Sequence, residues 1–298
     1  MHEASFLAGL TSIVLVAFCA TTSAKAESPA RPEIELNFLL VFTPYLEESI
    51  DFYTGTMGIE LASRGAVATT LFDDWEGPQS PALRGLNVEM FQAGRAVSSD
   101  RSWGRGQAVR AVIRVRDLDR RLSELRQRGV RFTSPLVERP WGRQIELTAG
   151  DGIRWALADV AGPSGGKLTR WYAAWAELKV ADLEAQTRFY GEILGLRRDD
   201  GGGDRVVFRR EPGKPFLVLE PGGERVSAKT EHGLSNAYTG PVALSFEVSD
   251  IDQAAAWVEA RSVSVLRAVI RHQDWDGADM VVADADGNAV QLVQYLNP

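Results

Sequence analysis

The chain has 298 residues, enough for two domains of roughly 130 residues, each with its own core. Hydrophobic residues make up 45% and charged residues 24%, the balance of a soluble globular protein. A formal net charge of -7, with no strongly basic stretch, argues against a nucleic-acid binder.

The first element is the run FLAGLTSIVLVAFCA at 6–20, followed by Ala24-Lys25-Ala26, a small-x-small cleavage signal. The run is short for a membrane-spanning helix, which needs about 20 residues. The order of segments predicts a signal peptide over 1–26, cut after Ala26, then a linker over 27–33. The alternative is an uncleaved anchor, because no Lys or Arg precedes the run. Cleavage implies a periplasmic or secreted protein with no membrane segment in its mature form. It also removes Cys19, the chain's one cysteine, and with it disulfides, thiolate ligands and thiol nucleophiles.

The mature chain divides at the Gly/Pro-rich segment 161–172 into two halves, 34–160 and 173–298. In the first, a strand (ELNFLLVF) and a helix (YLEESIDFYTGTM) precede short strands near 59–63, 66–72 and 84–91. Another strand (AVRAVIRV) and helix (LDRRLSELRQRG) lead to strands near 131–138, 143–148 and 153–159. The second half repeats the order. WAELKV and LEAQTRFYGEIL precede strands near 196–199, 204–209 and 215–220. PVALSFEV and IDQAAAWVEARS precede strands near 264–271, 278–283 and 289–295. Apolar residues recur at helical spacing in the helices and alternate in the strands. The fold class is α+β, four βαβββ units forming two modules.

The units repeat in detail. Leu46-Glu47, Phe52-Tyr53 and Gly58 recur as Leu183-Glu184, Phe189-Tyr190 and Gly195; Asp151-Gly152 recurs as Asp286-Gly287, a turn-forming pair. The motifs VADLEAQTRFYGEILG and DADGNAVQL, with RDLD (116–119) and SDID (249–252) after strands, resemble the vicinal oxygen chelate superfamily. This is also called the glyoxalase, bleomycin-resistance and extradiol-dioxygenase superfamily. The resemblance implies a tandem glyoxalase-like fold, with Phe-Tyr as the buried seam of a helix on the outside of a curved sheet.

The resemblance also implies a divalent metal held by residues of the first and last strands of the units. The first-strand position falls on Phe38, Arg110, Trp175 and Ala243, and the last-strand position on Ala156 and Gln291. Gln291 alone can ligate, so no metal cofactor is expected. A displaced site of Glu177, Glu247 and Gln291 is the fallback for a divalent metal, because alternation puts all three on the ligand-bearing face. His2 lies in the signal, His232 in a loop, and His272 at a strand end.

The same face offers Phe38, Arg110, Arg114 and Arg154 from the first half, and Trp175, Glu177, Glu247, Gln291 and Tyr295 from the second. Aromatic walls with convergent polar groups suit a small organic ligand. The three arginines would favour an anionic one, unless salt bridges to Glu89 or Glu146 engage them. The expected function is an exported, metal-free, small-molecule-binding protein, a monomer whose four units close both cavities without a partner. A metal-dependent dioxygenase-like or lyase-like enzyme and a structural or interaction module are the alternatives; whether it is an enzyme is open.

Overall fold

The computed structural model describes residues 29–59, 61–64, 68–71, 86–92, 107–115, 117–160, 172–199, 203–211, 214–226 and 241–296. The segment 1–26 expected to be a signal lies outside them, as do Cys19 and His232. No helix of the described residues is long and apolar enough to cross a membrane.

The four units appear in order. The first is β1 (Ile34–Thr43), α1 (Leu46–Asp51), β2 (Leu61–Arg64), β3 (Ala68–Leu71) and β4 (Asn87–Gln92). The second is β5 (Val109–Arg114), α2 (Leu118–Gln127), β6 (Val137–Arg139), β7 (Gly142–Thr148) and β8 (Arg154–Val160). The third is β9 (Tyr172–Val180), α3 (Leu183–Arg188), β10 (Arg198–Asp199), β11 (Val206–Glu211) and β12 (Lys214–Pro221). The fourth is β13 (Val242–Val248), α4 (Ile251–Glu259), β14 (Val265–His272), β15 (Gly277–Ala283) and β16 (Ala289–Tyr295). The strand expected over 131–138 contracts to β6, with Phe132 bridging Leu147 as an isolated pair.

The repeated helices have a shared irregularity. After α1 and α3 the chain widens into a π-helical turn, over Phe52–Thr56 and Phe189–Ile193. Met57 N–H donates to the Phe52 carbonyl and Leu194 N–H to that of Phe189, five residues back in each case. Gly58 and Gly195 then take φ of 73° and 80°, the left-handed region that glycine enters without a Cβ clash. Aspartates cap three of the helices. Asp182 accepts from Ala185 N–H at 2.9 Å, Asp250 from Asp252 and Gln253 N–H, and Asp117 more weakly from Arg120 N–H at 3.4 Å.

The units pair across the halves. One eight-stranded sheet runs β14-β15-β16-β13-β1-β4-β3-β2, joining units one and four. The other runs β10-β11-β12-β9-β5-β8-β7-β6, joining units two and three. At each centre two first strands lie antiparallel, β1 on β13 and β5 on β9. One continuous core takes a face of both sheets together with the helix seams, including Tyr53, Leu118, Leu122, Tyr190, Ile251 and Val258. The opposite faces carry separate clusters, Leu40, Phe42, Ala243, Val281 and Ala289 on one sheet and Val112, Trp141, Ala156, Trp175 and Val218 on the other. These centres are buried without a described helix against them, as in a sheet curled around its own side chains. The two inner faces are termed the first and second cups.

Candidate functional site

Register locates the ligand positions of each cup. The parallel pairs that flank each centre match Leu40 with Glu89, Val112 with Ala156, Glu177 with Val218, and Ser245 with Gln291. In every unit the last-strand position therefore stands opposite the residue two beyond the first-strand position. The first cup carries Phe38, Ala243, Glu89 and Gln291 at its four positions. The second carries Arg110, Trp175, Ala156 and Val218. Glu89 escaped sequence reasoning as a last-strand residue because unit one lacks the Asp-Gly turn that marks the position elsewhere.

In the second cup, Arg110 is buried and faces three carboxylates. Its Nη1 lies 2.5 Å from Glu146, its Nε donates to Glu177 at 3.0 Å while Nη2 also pairs with Glu177, and Glu220 stands at 3.6 Å. Gln144 Nε2 donates to both Glu177 oxygens at 2.9 and 3.0 Å, and the Trp175 indole to one at 3.4 Å. Glu220 accepts from Arg205 Nε at 2.8 Å, with Arg139 at 3.7 Å. Burial alone would lower the Arg110 pKa; Glu177 and Glu146 outweigh it and hold the guanidinium above its ordinary value. Arg154 is lowered, by burial and then by Arg110, and donates to the Gln107 carbonyl.

The expected arginine clamp is thus not assembled for a ligand. Arg110 is engaged by Glu146, Glu177 and Glu220, and Arg154 is turned to the backbone. Arg114 lies at the end of β5, half-buried. The fallback metal trio is divided as well. Glu177 belongs to the second cup, bound to Arg110, whereas Glu247 and Gln291 stand on β13 and β16 of the other sheet. Alternation identified the face correctly, but the face belongs to two different sheets.

The first cup is built differently. Ser245 Oγ donates to Gln291 Oε1 at 2.6 Å, and Gln291 Nε2 donates to Asp279 at 2.7 Å. Asp279 also pairs with Arg267, and its other oxygen lies 2.7 Å from His272 Nε2. His272, a strand-end residue in the sequence, therefore joins a polar chain of four side chains reaching Ser245. Glu247 accepts from Asn37 Nδ2 at 2.7 Å. Aromatic rings line the cup. Phe38 lies 6.0 Å from Tyr295, Tyr295 lies 5.5 Å from Trp275, Trp275 stacks on His272 at 4.7 Å, and Phe42 stacks on Phe91 at 5.5 Å. Burial first, then the charges of Glu89, Glu247 and Asp279, raise the Tyr295 pKa.

Neither set of positions fits the metal that the family resemblance implies. The second cup offers a guanidinium and three residues without a strong donor, and the first offers one carboxylate and one amide. Among the described residues no group of three His, Cys, Asp or Glu side chains is arranged to hold a metal ion.

The fold has clear relatives. Glyoxalase I from Zea mays matches with a TM-score of 0.62 at 19% identity, covering 88% of this chain and 92% of that one. A protein from Bacillus subtilis described as a dioxygenase matches with a TM-score of 0.59 at 15% identity, covering 90% and 87%. At these identities the likeness is one of fold. No curated protein sequence matches. The family model for the Glyoxalase/Bleomycin resistance protein/Dioxygenase superfamily matches residues 35–157 and again 173–292. With both halves matched, the chain belongs to that superfamily.

Proposed function

We propose that the protein binds a small organic molecule in the first cup, without a metal ion, and that it is exported. The observation that carries the reading is the first cup's lining: Phe38 and Ala243 stand where imidazoles would bind a metal, among the rings of Phe42, Phe91, Trp275 and Tyr295. An aromatic wall over the Ser245–Gln291–Asp279–His272 chain offers apolar contact together with a few fixed donors and acceptors. The charge balance favours a neutral or cationic ligand over the anion expected from the arginines. Glu247 accepts from the neutral amide of Asn37, and Asp279 pairs with Arg267. Export rests on the apolar run at 6–20 ahead of Ala24-Lys25-Ala26.

Trp275, 37% exposed beside Tyr295, supplies the test. After dialysis against a chelator, aromatic amines and matched aromatic acids are titrated against tryptophan fluorescence in wild type and Trp275→Phe. Saturable quenching by amines or neutral aromatics, lost in Trp275→Phe, is expected. Quenching that appears only after divalent metal is restored would overturn the metal-free reading, and preference for the acids would overturn the charge assignment.

A further inference from the structure

We infer that the second cup carries its own cation: the Arg110 guanidinium fills the position that the family pattern gives to a bound metal, and this cup is closed to exogenous ligand. The inference concerns the sheet of units two and three and stands independently of ligand binding in the first cup. Arg110 occupies a first-strand ligand position, eight residues before the helix-opening Leu118, so its side chain starts from a ligand's backbone site. Instead of donating electrons, it supplies positive charge. The carboxylates that receive it come from three other strands, Glu146 on β7, Glu177 on β9 and Glu220 on β12, so both units contribute.

The surroundings are arranged around these anions. Gln144, held by the Trp141 indole at 3.4 Å, directs its amide hydrogens at Glu177, and Trp141 meets Trp175 edge-on at 6.0 Å. Arg139 on β6 and Arg205, in the turn before β11, balance Glu220. Carboxylates on separate strands around one buried point repel each other unless a cation sits between them. A planar guanidinium with five donors can serve several carboxylates at once, and its tether to β5 makes it impossible to lose by dilution or chelation. The neighbouring first-strand position is filled by the buried indole of Trp175 and the last-strand positions by Ala156 and Val218, which leaves no donor at the other family ligand positions and little room for a ligand beside the guanidinium.

The test is replacement of the tethered cation by a free one. Arg110→Ala is titrated with methylguanidinium and separately with Mn2+, following thermal midpoint and stoichiometry by calorimetry, with wild type as the control for general salt effects. One equivalent bound to Arg110→Ala, with a rise in midpoint of several degrees absent from wild type, is the expected result. A folded Arg110→Ala whose midpoint and heats match wild type with either cation would overturn the inference. If Arg110→Ala does not fold, the comparison passes to Arg110→Lys and Arg110→Met. A cation role predicts that the lysine variant melts higher than the methionine variant. Equal midpoints, or methionine the higher, would reduce Arg110 to a packing residue.

Discussion

Tyr53 donates its phenolic hydrogen to Asp151 at 3.2 Å, tying the helix of unit one to the Asp-Gly turn of unit two. Tyr190 does the same to Asp284 at 3.1 Å, tying unit three to the turn of unit four. The sheets join units one with four and two with three, so these two buried contacts close the remaining sides of a ring of four units. This is the work of the Phe-Tyr repeat. The π-helical turn places each tyrosine in the core, where it is wholly buried yet paired.

The two tyrosines are not equally replaceable. Asp151 also accepts from Ser49 at 2.7 Å, and the Tyr53 oxygen accepts from the Trp155 indole at 2.8 Å. Asp284 keeps Asn288 Nδ2 at 2.9 Å and two backbone donors when Tyr190 is lost. Tyr53→Phe, which leaves the indole without an acceptor, should cost about 1–3 kcal/mol, and Tyr190→Phe about 0.5–1.5 kcal/mol. Urea denaturation of both variants checks the order.

Asp151 and Asp284 give the fold a pH dependence. Burial raises both carboxyls above their ordinary value, against the hydrogen bonds that lower them. A folded pKa above the unfolded one means that the folded state binds protons more readily. The contribution is fully present below the unfolded value of about 3.9 and is lost as pH rises through the folded values. The stability of wild type relative to the Asp151→Asn/Asp284→Asn variant should therefore fall from pH 4 to pH 8. Urea midpoints measured across that range would count against this if the difference grew instead.

Breaking the Arg110 network from one side should be severe. Arg110→Met leaves Glu177 buried without its main partner, at a cost of about 3–5 kcal/mol. Adding Glu177→Leu removes the orphaned charge, so the double variant should recover part of the loss. Chemical denaturation of the two single variants and the double variant completes the cycle, and additive losses would be the contrary result.

The register of the first cup can be tested by building what it lacks. Phe38→His with Ala243→His puts two imidazoles at the first-strand positions beside Glu89 and Gln291. The doubly substituted protein should retain about one equivalent of Zn2+ or Ni2+ after dialysis, which mass spectrometry measures, where wild type retains none. A folded variant without metal would mean that these four positions do not converge.

Assembly and export have simpler readouts. Both eight-stranded sheets are assembled from the strands of one chain, so sedimentation at micromolar concentration should give a monomer. The mature chain should begin at Glu27, which intact mass of protein from the envelope of the native host determines.

The sequence by itself determined the local grammar. Leu-Glu-x(4)-Phe-Tyr and the glycine beyond it marked α1 and α3, the pairs Asp151-Gly152 and Asp286-Gly287 marked turns, and period-two alternation marked which residues share the inner face. It also put Phe38, Arg110, Trp175 and Ala243 in equivalent positions, because each lies the same distance before its helix. Only the tertiary structure decided which units pair. Alternation fixes the face a side chain takes, but not the strand that lies beside it. Glu177, Glu247 and Gln291 thus looked like neighbours and were divided between two sheets. Arg110 met Glu146, Glu177 and Glu220, and His272 met Asp279, because parallel and antiparallel strand register brought together residues that no local spacing connects. Local capping and turn chemistry is read from a few consecutive residues; charge partners across a sheet are chosen by long-range pairing, which the burial of the whole core selects.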